Sequence, residues 1–234
     1  MSSPSALEQA RAEIDRIDDE ILALLDARFA TVAKVRAAKA LEQGPKRAAF
    51  RPAREAQVLR RLLSAKGEHV PARLLVRLWR TIMGWATQVQ GSLPVHASEN
   101  LLKDATKASL LGTQFAEIRP AASVAQALQD AAVDNGIAAV GLDEDFASHL
   151  GDARVVGSLG NNHPALFLVG PAILAEASGE DETLILANHP PANILWQDGL
   201  LCGLSGFLEP ADLPANVQFL GRYPRPPMID EVSP

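Results

Sequence analysis

Charged side chains interrupt the apolar face of the first predicted helix. Apolar residues recur there in steps of three and four, which places them on one helix face: Ile14, Ile21, Leu25, Val32 and Val35. The same repeat contains Arg11, Asp18, Arg28 and Lys39. Because an unpaired buried charge is costly, these side chains either reach solvent or pair with a neighbouring helix, or they bind a charged ligand. The pattern alone leaves these explanations open.

Two further predicted helices also place polar groups among apolar ones. Glu55 shares a face with Leu59 and Leu62, and Gln90 continues the line through Ile82 and Ala86. Arginine binds carboxylates through paired hydrogen bonds, so a mostly cationic pocket suits a small dianion that also carries a hydroxyl. The inward polar set is Arg11, Arg28, Lys39, Arg51, Arg54, Glu55 and Gln90.

Three helices must position these groups. Ser5 is a candidate N-cap, and no Pro or Gly interrupts the following stretch, which predicts a helix of about 35 residues. Pro52 suits the first position of a second helix that ends near Gly67. A third helix is predicted over residues 71–90. The remaining arginines of the last two helices are interpreted as solvated faces: Arg60, Arg61, Arg73, Arg77 and Arg80.

Distances along the first helix indicate a second copy of the chain. Arg28 and Lys39 are eleven residues apart, about 16 Å at the α-helical rise, so both long side chains could touch one small ligand. Arg11 lies seventeen residues before Arg28, about 25 Å away, and would serve a site on another subunit. Two shorter helices also cannot cover so long a helix. Both points predict an antiparallel homodimer.

Composition bounds the class of protein. The 234 residues carry a net charge of −6, which argues against nucleic acid as a partner. No stretch is apolar enough for a membrane helix, and the N-terminus shows no secretory signal. The single cysteine, Cys202, excludes an intrachain disulfide and suits the cytoplasm. The five histidines have no metal-ligand spacing, so no metal site is expected.

A domain boundary is predicted where the composition changes. Lys and Arg are concentrated in residues 27–80, whereas the later part of the chain is acidic and contains more Pro and Gly. The Gly- and Pro-containing residues between these parts predict a loop. We therefore expect a helical domain over 1–92, a linker over 93–100 and a second domain over 101–234.

The ordered set of motifs resembles the all-helical chorismate mutases. No single motif is specific, but their order and spacing together are, and they cover residues 5–92. The resemblance implies a three-helix fold in an intertwined homodimer. It also implies conversion of chorismate to prephenate in phenylalanine and tyrosine biosynthesis. The motifs are Arg11-x-x-Ile14-x-x-x-Asp18, Leu24-Leu25-x-x-Arg28, Val35-x-x-x-Lys39, Arg51-Pro52-x-Arg54-Glu55 and Arg77-Leu78-Trp79 leading to Gln90.

The resemblance also implies roles for single residues. Arg28, together with Arg11 of the partner subunit, would hold the two carboxylates of chorismate. Lys39 and Gln90 would donate hydrogen bonds to the ether oxygen, where negative charge develops as its bond breaks. Glu55 would accept a hydrogen bond from the ring hydroxyl. This chemistry uses no cofactor.

Three further positions are implied to bind substrate, with departures from the family pattern. Many relatives carry an acidic residue at the position of Arg51 and a serine at that of Ala86, and Arg54 either touches substrate or pairs with Glu55. Two alternatives stay open. Related helical enzymes remove pyruvate from isochorismate with a similar pocket, and a regulatory protein could keep the mutase fold only to bind a ligand.

The C-terminal region is predicted to be an α/β domain. A helix is expected over 124–131 with Ser123 as its N-cap. Apolar runs bounded by Gly, Pro or charged residues predict buried strands over 137–142, 165–169 and 183–186.

This region also resembles a shortened prephenate dehydratase. The shared segments occur in the right order, but the lengths between them are much shorter. Where that family has a Thr-Arg-Phe triplet, this chain has Ala165-Leu166-Phe167, with neither hydroxyl nor guanidinium. We therefore predict that the region has no dehydratase activity.

Overall fold

The structure is a computed structural model that describes residues 5–41, 50–91, 93–189 and 191–229. It divides into two units: the first contains helix α1 (Ala6–Leu41), and the second contains every element from the next helix onward. This division does not coincide with the boundary that the sequence predicts at 93–100. The second and third helices belong to the same compact unit as the C-terminal strands.

Ser5 caps helix α1, as predicted, and Glu8 makes the cap reciprocal. The Ser5 hydroxyl accepts from the Glu8 amide at 3.3 Å, and the Glu8 carboxylate accepts from the Ser5 amide at 2.6 Å, so two amides at the helix start are satisfied. Many of its apolar side chains are exposed in the described structure: Leu7, Ile14, Ile17, Ile21, Leu22, Leu24, Val35 and Leu41.

Helices α2 (Pro52–Ala65) and α3 (Ala72–Gln90) follow the sequence prediction. Pro52 begins α2, where its missing N–H costs nothing, and α2 ends just before Gly67. The two helices pack through a small apolar cluster to which a residue near the C-terminus also contributes: Leu59, Val76, Met83 and Ile229. The described part of residues 1–92 thus contains the three predicted helices.

The rest of the second unit is built on one mixed sheet, and the described chain as a whole is therefore not all-helical. The nine strands of the described residues lie in the order β2-β1-β3-β5-β4-β9-β6-β8-β7. Strand β1 is parallel to β2 and β3, and β4 is parallel to β9, whereas the other neighbours are antiparallel. The strands are β1 (Val95–Ser98), β2 (Ile118–Ala121), β3 (Ile137–Gly141), β4 (Ala153–Asn161), β5 (His163–Pro171), β6 (Asp181–Leu186), β7 (Ile194–Asp198), β8 (Leu201–Ser205) and β9 (Gln218–Pro224).

Short helices connect the first strands, and polar side chains cap them. Ser98 caps α4 (Glu99–Lys103), Asp104 caps α5 (Ala105–Gln114) and Ser123 caps α6 (Val124–Val133), each by accepting a backbone N–H. The Ser123 cap confirms the sequence prediction. The described residues also contain three single-turn 3₁₀ helices, at Ala147–His149, Ala172–Leu174 and Pro210–Asp212.

Both faces of the central strands are buried, which explains their continuous apolar sequences. In β3, Ala138 and Val140 face a core that includes α6, whereas Ile137 and Ala139 face a core that includes residues of α4 and α5. Successive side chains of a strand point to opposite faces, so each face receives alternate residues. The predicted strands in β3, β5 and β6 are confirmed.

The predicted linker over 93–100 contains a strand. Residues Val95–Ser98 form β1, which is fully buried and hydrogen-bonded to β2 on one side and β3 on the other. The linker interpretation was wrong there because Gly91 and Pro94 mark only the turn before the strand. Four residues are too few to show a period, and His96 and Ser98 lower the apolar signal although both are buried.

Candidate functional site

The two arginines of α1 that the sequence predicts to bind carboxylates have no acidic partner among the described residues. Within the described chain, Arg16 forms an ion pair with Glu20 on the surface of α1, whereas neither Arg11 nor Arg28 takes part in one. Nη1 of Arg28 has no hydrogen-bond partner in the described structure. The side chain of Lys39 lies outside the described residues. Neither guanidinium is therefore neutralised by an acidic side chain of the described part of the chain.

The two arginines that begin α2 differ in their partners. Arg51 donates from Nη2 and Nε to one oxygen of Glu176, at 2.8 and 3.1 Å. Arg54 is exposed and has no partner among the described residues, so it does not pair with Glu55. Of these two, only Arg51 is paired with an acidic side chain of the described residues.

Gln90 and Ala86 lie one turn apart near the end of α3. Ala86 is buried, and the Gln90 amide donates to the Ala86 backbone oxygen at 3.1 Å. One of the two N–H groups of the Gln90 amide is therefore used within its own helix.

Glu55 lies in a polar cluster formed by three helices of the second unit. Gln114, the last residue of α5, donates its side-chain amide to Oε2 of Glu55 at 2.6 Å. Arg80 of α3 is only 6 % exposed and donates to the backbone oxygen of Gly160 at 2.9 Å. It interacts with Glu55 electrostatically rather than through a hydrogen bond. The cluster combines an acid, an amide and a cation.

Burial dominates the titration of this cluster. It raises the pKa of Glu55 to about 8, although the Arg80 charge and the Gln114 hydrogen bond both favour the carboxylate. Burial also lowers the pKa of Arg80 to about 10, against the attraction of Glu55. At neutral pH, Glu55 is therefore mostly protonated while Arg80 keeps its charge.

A small cleft adjoins the cluster. Its volume is about 40 Å³, which holds a few water molecules and is too small for a substrate of the size of chorismate. Oγ of Ser158 is enclosed and has no hydrogen-bond partner in the described part of the chain. The polar residues that line the cleft are Glu55, Arg60, Arg80, Gln114, Ser158 and Arg225.

The interpretation of Arg60 and Arg80 as solvated residues was wrong. Arg60 donates to the Ser178 hydroxyl at 2.6 Å and to the Ser178 and Glu180 backbone oxygens at 3.1 and 3.0 Å. Arg80 is buried, and a signal for this was present, because it follows Val76 by four residues on the buried side of α3. Gln114 gave no such signal, because nothing in the sequence places the end of α5 beside α2.

We expect Glu55→Gln to stabilise the fold at about pH 8 but not at about pH 5. The side-chain oxygen of glutamine can still accept the hydrogen bond from the Gln114 amide, and glutamine does not titrate. The folded-state pKa of about 8 lies above the ordinary value of 4.5, so the unfolded chain loses its proton first. The wild-type free energy of unfolding therefore falls as the pH rises from about 4.5 to about 8. The slope is at most about 1.4 kcal/mol per pH unit.

Urea unfolding of both proteins across this pH range measures the effect. Glu99→Gln, which neutralises an exposed acid on α4, controls for the loss of one charge. If the free energy of unfolding depended on pH in the same way in wild type and Glu55→Gln, burial would not raise the pKa of Glu55.

The described residues contain neither a cluster of metal-ligating side chains nor a helix that could span a membrane. No three His, Cys, Asp or Glu side chains among them are grouped so as to hold a metal ion. No helix in the described part of the chain is both long and apolar enough to cross a membrane.

Comparison with known proteins gives one match. Searches of curated proteins and of solved structures found no significant similarity. The family model for chorismate mutase type II matches residues 10–91, a segment that contains most of α1 and all of α2 and α3.

Proposed function

We propose that this protein is a chorismate mutase, an isomerase that converts chorismate to prephenate. The family match over residues 10–91 carries the proposal. In this reaction the ether C–O bond breaks while a C–C bond forms, and no group leaves the molecule. The site needs no nucleophile. It must hold the folded conformer of the substrate and stabilise the charge that develops on the ether oxygen.

We assign the charged and amide side chains in the order of the family motifs. Arg28 and Arg11 of the partner subunit bind the two carboxylates. Their lack of acidic partners in the described structure supports this role. Lys39 and Gln90 donate to the ether oxygen, and Glu55 interacts with the ring hydroxyl. Because Glu55 is mostly protonated at neutral pH, it becomes a stronger acceptor as the pH rises through its pKa.

The remaining predicted binding residues differ in their support. Arg54 is exposed and unpaired in the described structure, which favours a contact with substrate. The guanidinium of Arg51 already binds Glu176, so we propose that Arg51 mainly fixes the start of α2. Ala86 provides only an apolar wall, because it lacks the hydroxyl that relatives often have at its position.

We propose that the active form is a homodimer built around α1. A single helix with this many exposed apolar residues is poorly stable in water, and a second copy supplies a matching surface. Helix α3 also exposes apolar residues at helical spacing, including Leu74, Leu78 and Trp85. The cleft beside Glu55 is too small for chorismate, which supports a site completed by parts of the chain outside α2 and α3.

Mixing two inactive variants tests the shared site. We expect Arg11→Ala and Arg28→Ala each to inactivate the enzyme. When equal amounts are unfolded and refolded together, half of the dimers contain both chains, and each of these has one intact site. About a quarter of wild-type activity should return. Recovery no greater than the sum of the separately refolded variants would show that Arg11 acts within its own chain.

We propose that the mutase lies in residues 1–92 and that the α/β region that follows, including β1, has no dehydratase activity. The residues in place of the Thr-Arg-Phe triplet lie in β5, where Leu166 and Phe167 are completely buried among apolar side chains. They present no group that could protonate a leaving hydroxyl. This region therefore supports the mutase rather than performing the next reaction.

The test is to incubate the purified full chain with chorismate, identify the product and measure the mass of the particle in solution. Prephenate formed by a dimer is the expected result. Pyruvate released from isochorismate, without prephenate, would make the protein a lyase. A folded dimer that binds chorismate without converting it would make it a ligand-binding protein, and either of these results would overturn the proposal.

A further inference from the structure

Gln114 connects the C-terminal region to a residue of the mutase segment. It lies outside the matched residues 10–91, yet it is only 4 % exposed and its amide donates to Glu55 at 2.6 Å. The other oxygen of Glu55 has no hydrogen-bond partner within the described chain. The amide thus fixes one oxygen of the carboxyl group and leaves the second for another donor.

Close backbone packing holds Gln114 in this place. The glycine at position 84 of α3 lies against the end of α5, and a Cβ atom there would come within 1.8 Å of the Gln114 backbone oxygen. Helix α3 also carries Arg80 and Gln90. The backbone contact therefore sets the position of the Gln114 amide relative to other polar residues of the mutase segment.

We infer that Gln114 is a positioning residue for Glu55, so that the C-terminal domain completes the mutase site. This inference rests on the proposed function, in which Glu55 meets the ring hydroxyl of chorismate. A buried carboxyl group without this donor would rotate about its last torsion and would face the hydroxyl in fewer of its conformations. Holding it in one orientation lowers the entropic part of the barrier.

The surroundings of Glu55 determine how the loss of Gln114 would be observed. Arg80 on α3, Arg60 on α2 and Arg225 after β9 line the same cleft. Arg60 donates to the backbone and hydroxyl oxygens of Ser178. Nε of Arg225 lies 3.2 Å from Oε1 of Glu182. Removing the Gln114 amide takes away one of the two interactions that favour the carboxylate and leaves the Arg80 charge. The pKa of Glu55 should then rise further.

Gln114→Met tests the inference, because methionine has a similar volume and no donor. Above the pKa of Glu55, where its carboxyl group is ionised, the lost hydrogen bond to a charged group is worth about a 10- to 100-fold effect, and we expect a loss of this size in kcat with a smaller change in KM. The rise of kcat/KM with pH should also move to higher pH. Thr113→Ala, on the same turn of α5, removes only a hydroxyl bonded within its own helix and should leave both quantities unchanged.

A double variant separates positioning from general damage. In Glu55→Ala there is no acceptor for the Gln114 amide, so adding Gln114→Met should change kcat by clearly less than it does in the wild type. Equal losses in both backgrounds, or an unchanged pH profile, would overturn the inference. Gln114→Asn keeps the amide on a shorter arm and should give a smaller loss in the same direction. It serves as the probe if the methionine variant does not fold.

A measurement without substrate keeps this inference separate from the proposed function. The side-chain ¹³C carboxyl signal of Glu55 is titrated in the full-length wild type and in Gln114→Met. A higher pKa in the variant would support control of Glu55 by Gln114 even if the wild type did not convert chorismate. In that case the proposed function alone would fail. An unchanged titration in a protein that does convert chorismate would remove the inference and leave the function standing.

Discussion

Arg28→Ala is expected to lower kcat/KM for chorismate by about a hundred- to a thousand-fold while leaving the protein folded. In the described structure Arg28 has no acidic partner, and its Nη1 donates no hydrogen bond. A guanidinium forms two parallel hydrogen bonds with a carboxylate, and no neutral side chain replaces that geometry. The loss should appear in steady-state kinetics, with circular dichroism and particle mass unchanged.

Arg16→Ala is the matched control on the same helix. Arg16 is exposed and pairs with Glu20 one turn away, an interaction that contributes little to stability. This variant removes the same charge from α1 and should keep near-normal turnover. If Arg28→Ala retained near-normal kcat/KM, the assignment of the chain as a chorismate mutase would be untenable. Equal losses in both variants would instead point to the overall charge of α1.

The sequence predicted the helical part of the fold well because its signals are local. Ser5 caps α1 through a reciprocal bond with Glu8, and Pro52 begins α2. The apolar repeat of α1 spans many turns, so its spacing of three and four residues clearly predicts a helix. The strands in β3, β5 and β6 were found for a related reason, since each is an apolar run buried on both faces.

The missed elements depend on contacts between distant parts of the chain. The four residues of β1 are buried because β2 and β3 flank them. No local sequence pattern predicts this pairing. Strand β7 lies at the edge of the sheet beside β8, and its side chains are largely exposed. The division of the chain into a helical domain and an α/β domain also did not anticipate that α2 and α3 pack in one unit with the sheet.

The candidate site was predictable only where residues share a helix. The charges on α1 were found from their spacing. In contrast, the environment of Glu55 comes from Arg80 of α3 and Gln114 of α5. The position of Arg80 on the apolar side of α3 could have identified it as a buried residue near Glu55. The contact of Gln114 with Glu55 is known only from the structure, in which the end of α5 lies beside α2. The ion pair between Arg51 and Glu176 likewise joins residues far apart in the sequence.

The packing of α3 against α5 leads to the largest expected effect on stability. Gly84→Ala would place a Cβ atom 1.8 Å from the backbone oxygen of Gln114 and 2.7 Å from its carbonyl carbon. Backbone atoms cannot turn aside as a flexible side chain can, so α5 must move as a whole. Forcing extra atoms into a packed core costs about 1–3 kcal/mol or more, and the rigidity of this contact favours the upper end.

Gly112→Ala in α5 is the matched control. A Cβ atom at Gly112 would meet nothing within 4 Å, and alanine is favoured over glycine inside a helix by about 0.5–1 kcal/mol. Urea unfolding should therefore show the same substitution destabilising the protein at one glycine and stabilising it at the other. Equal stability of Gly84→Ala and wild type would contradict the contact between α3 and α5. Because that contact also places Gln114, Gly84→Ala should weaken catalysis along with stability, whereas Gly112→Ala should affect only stability.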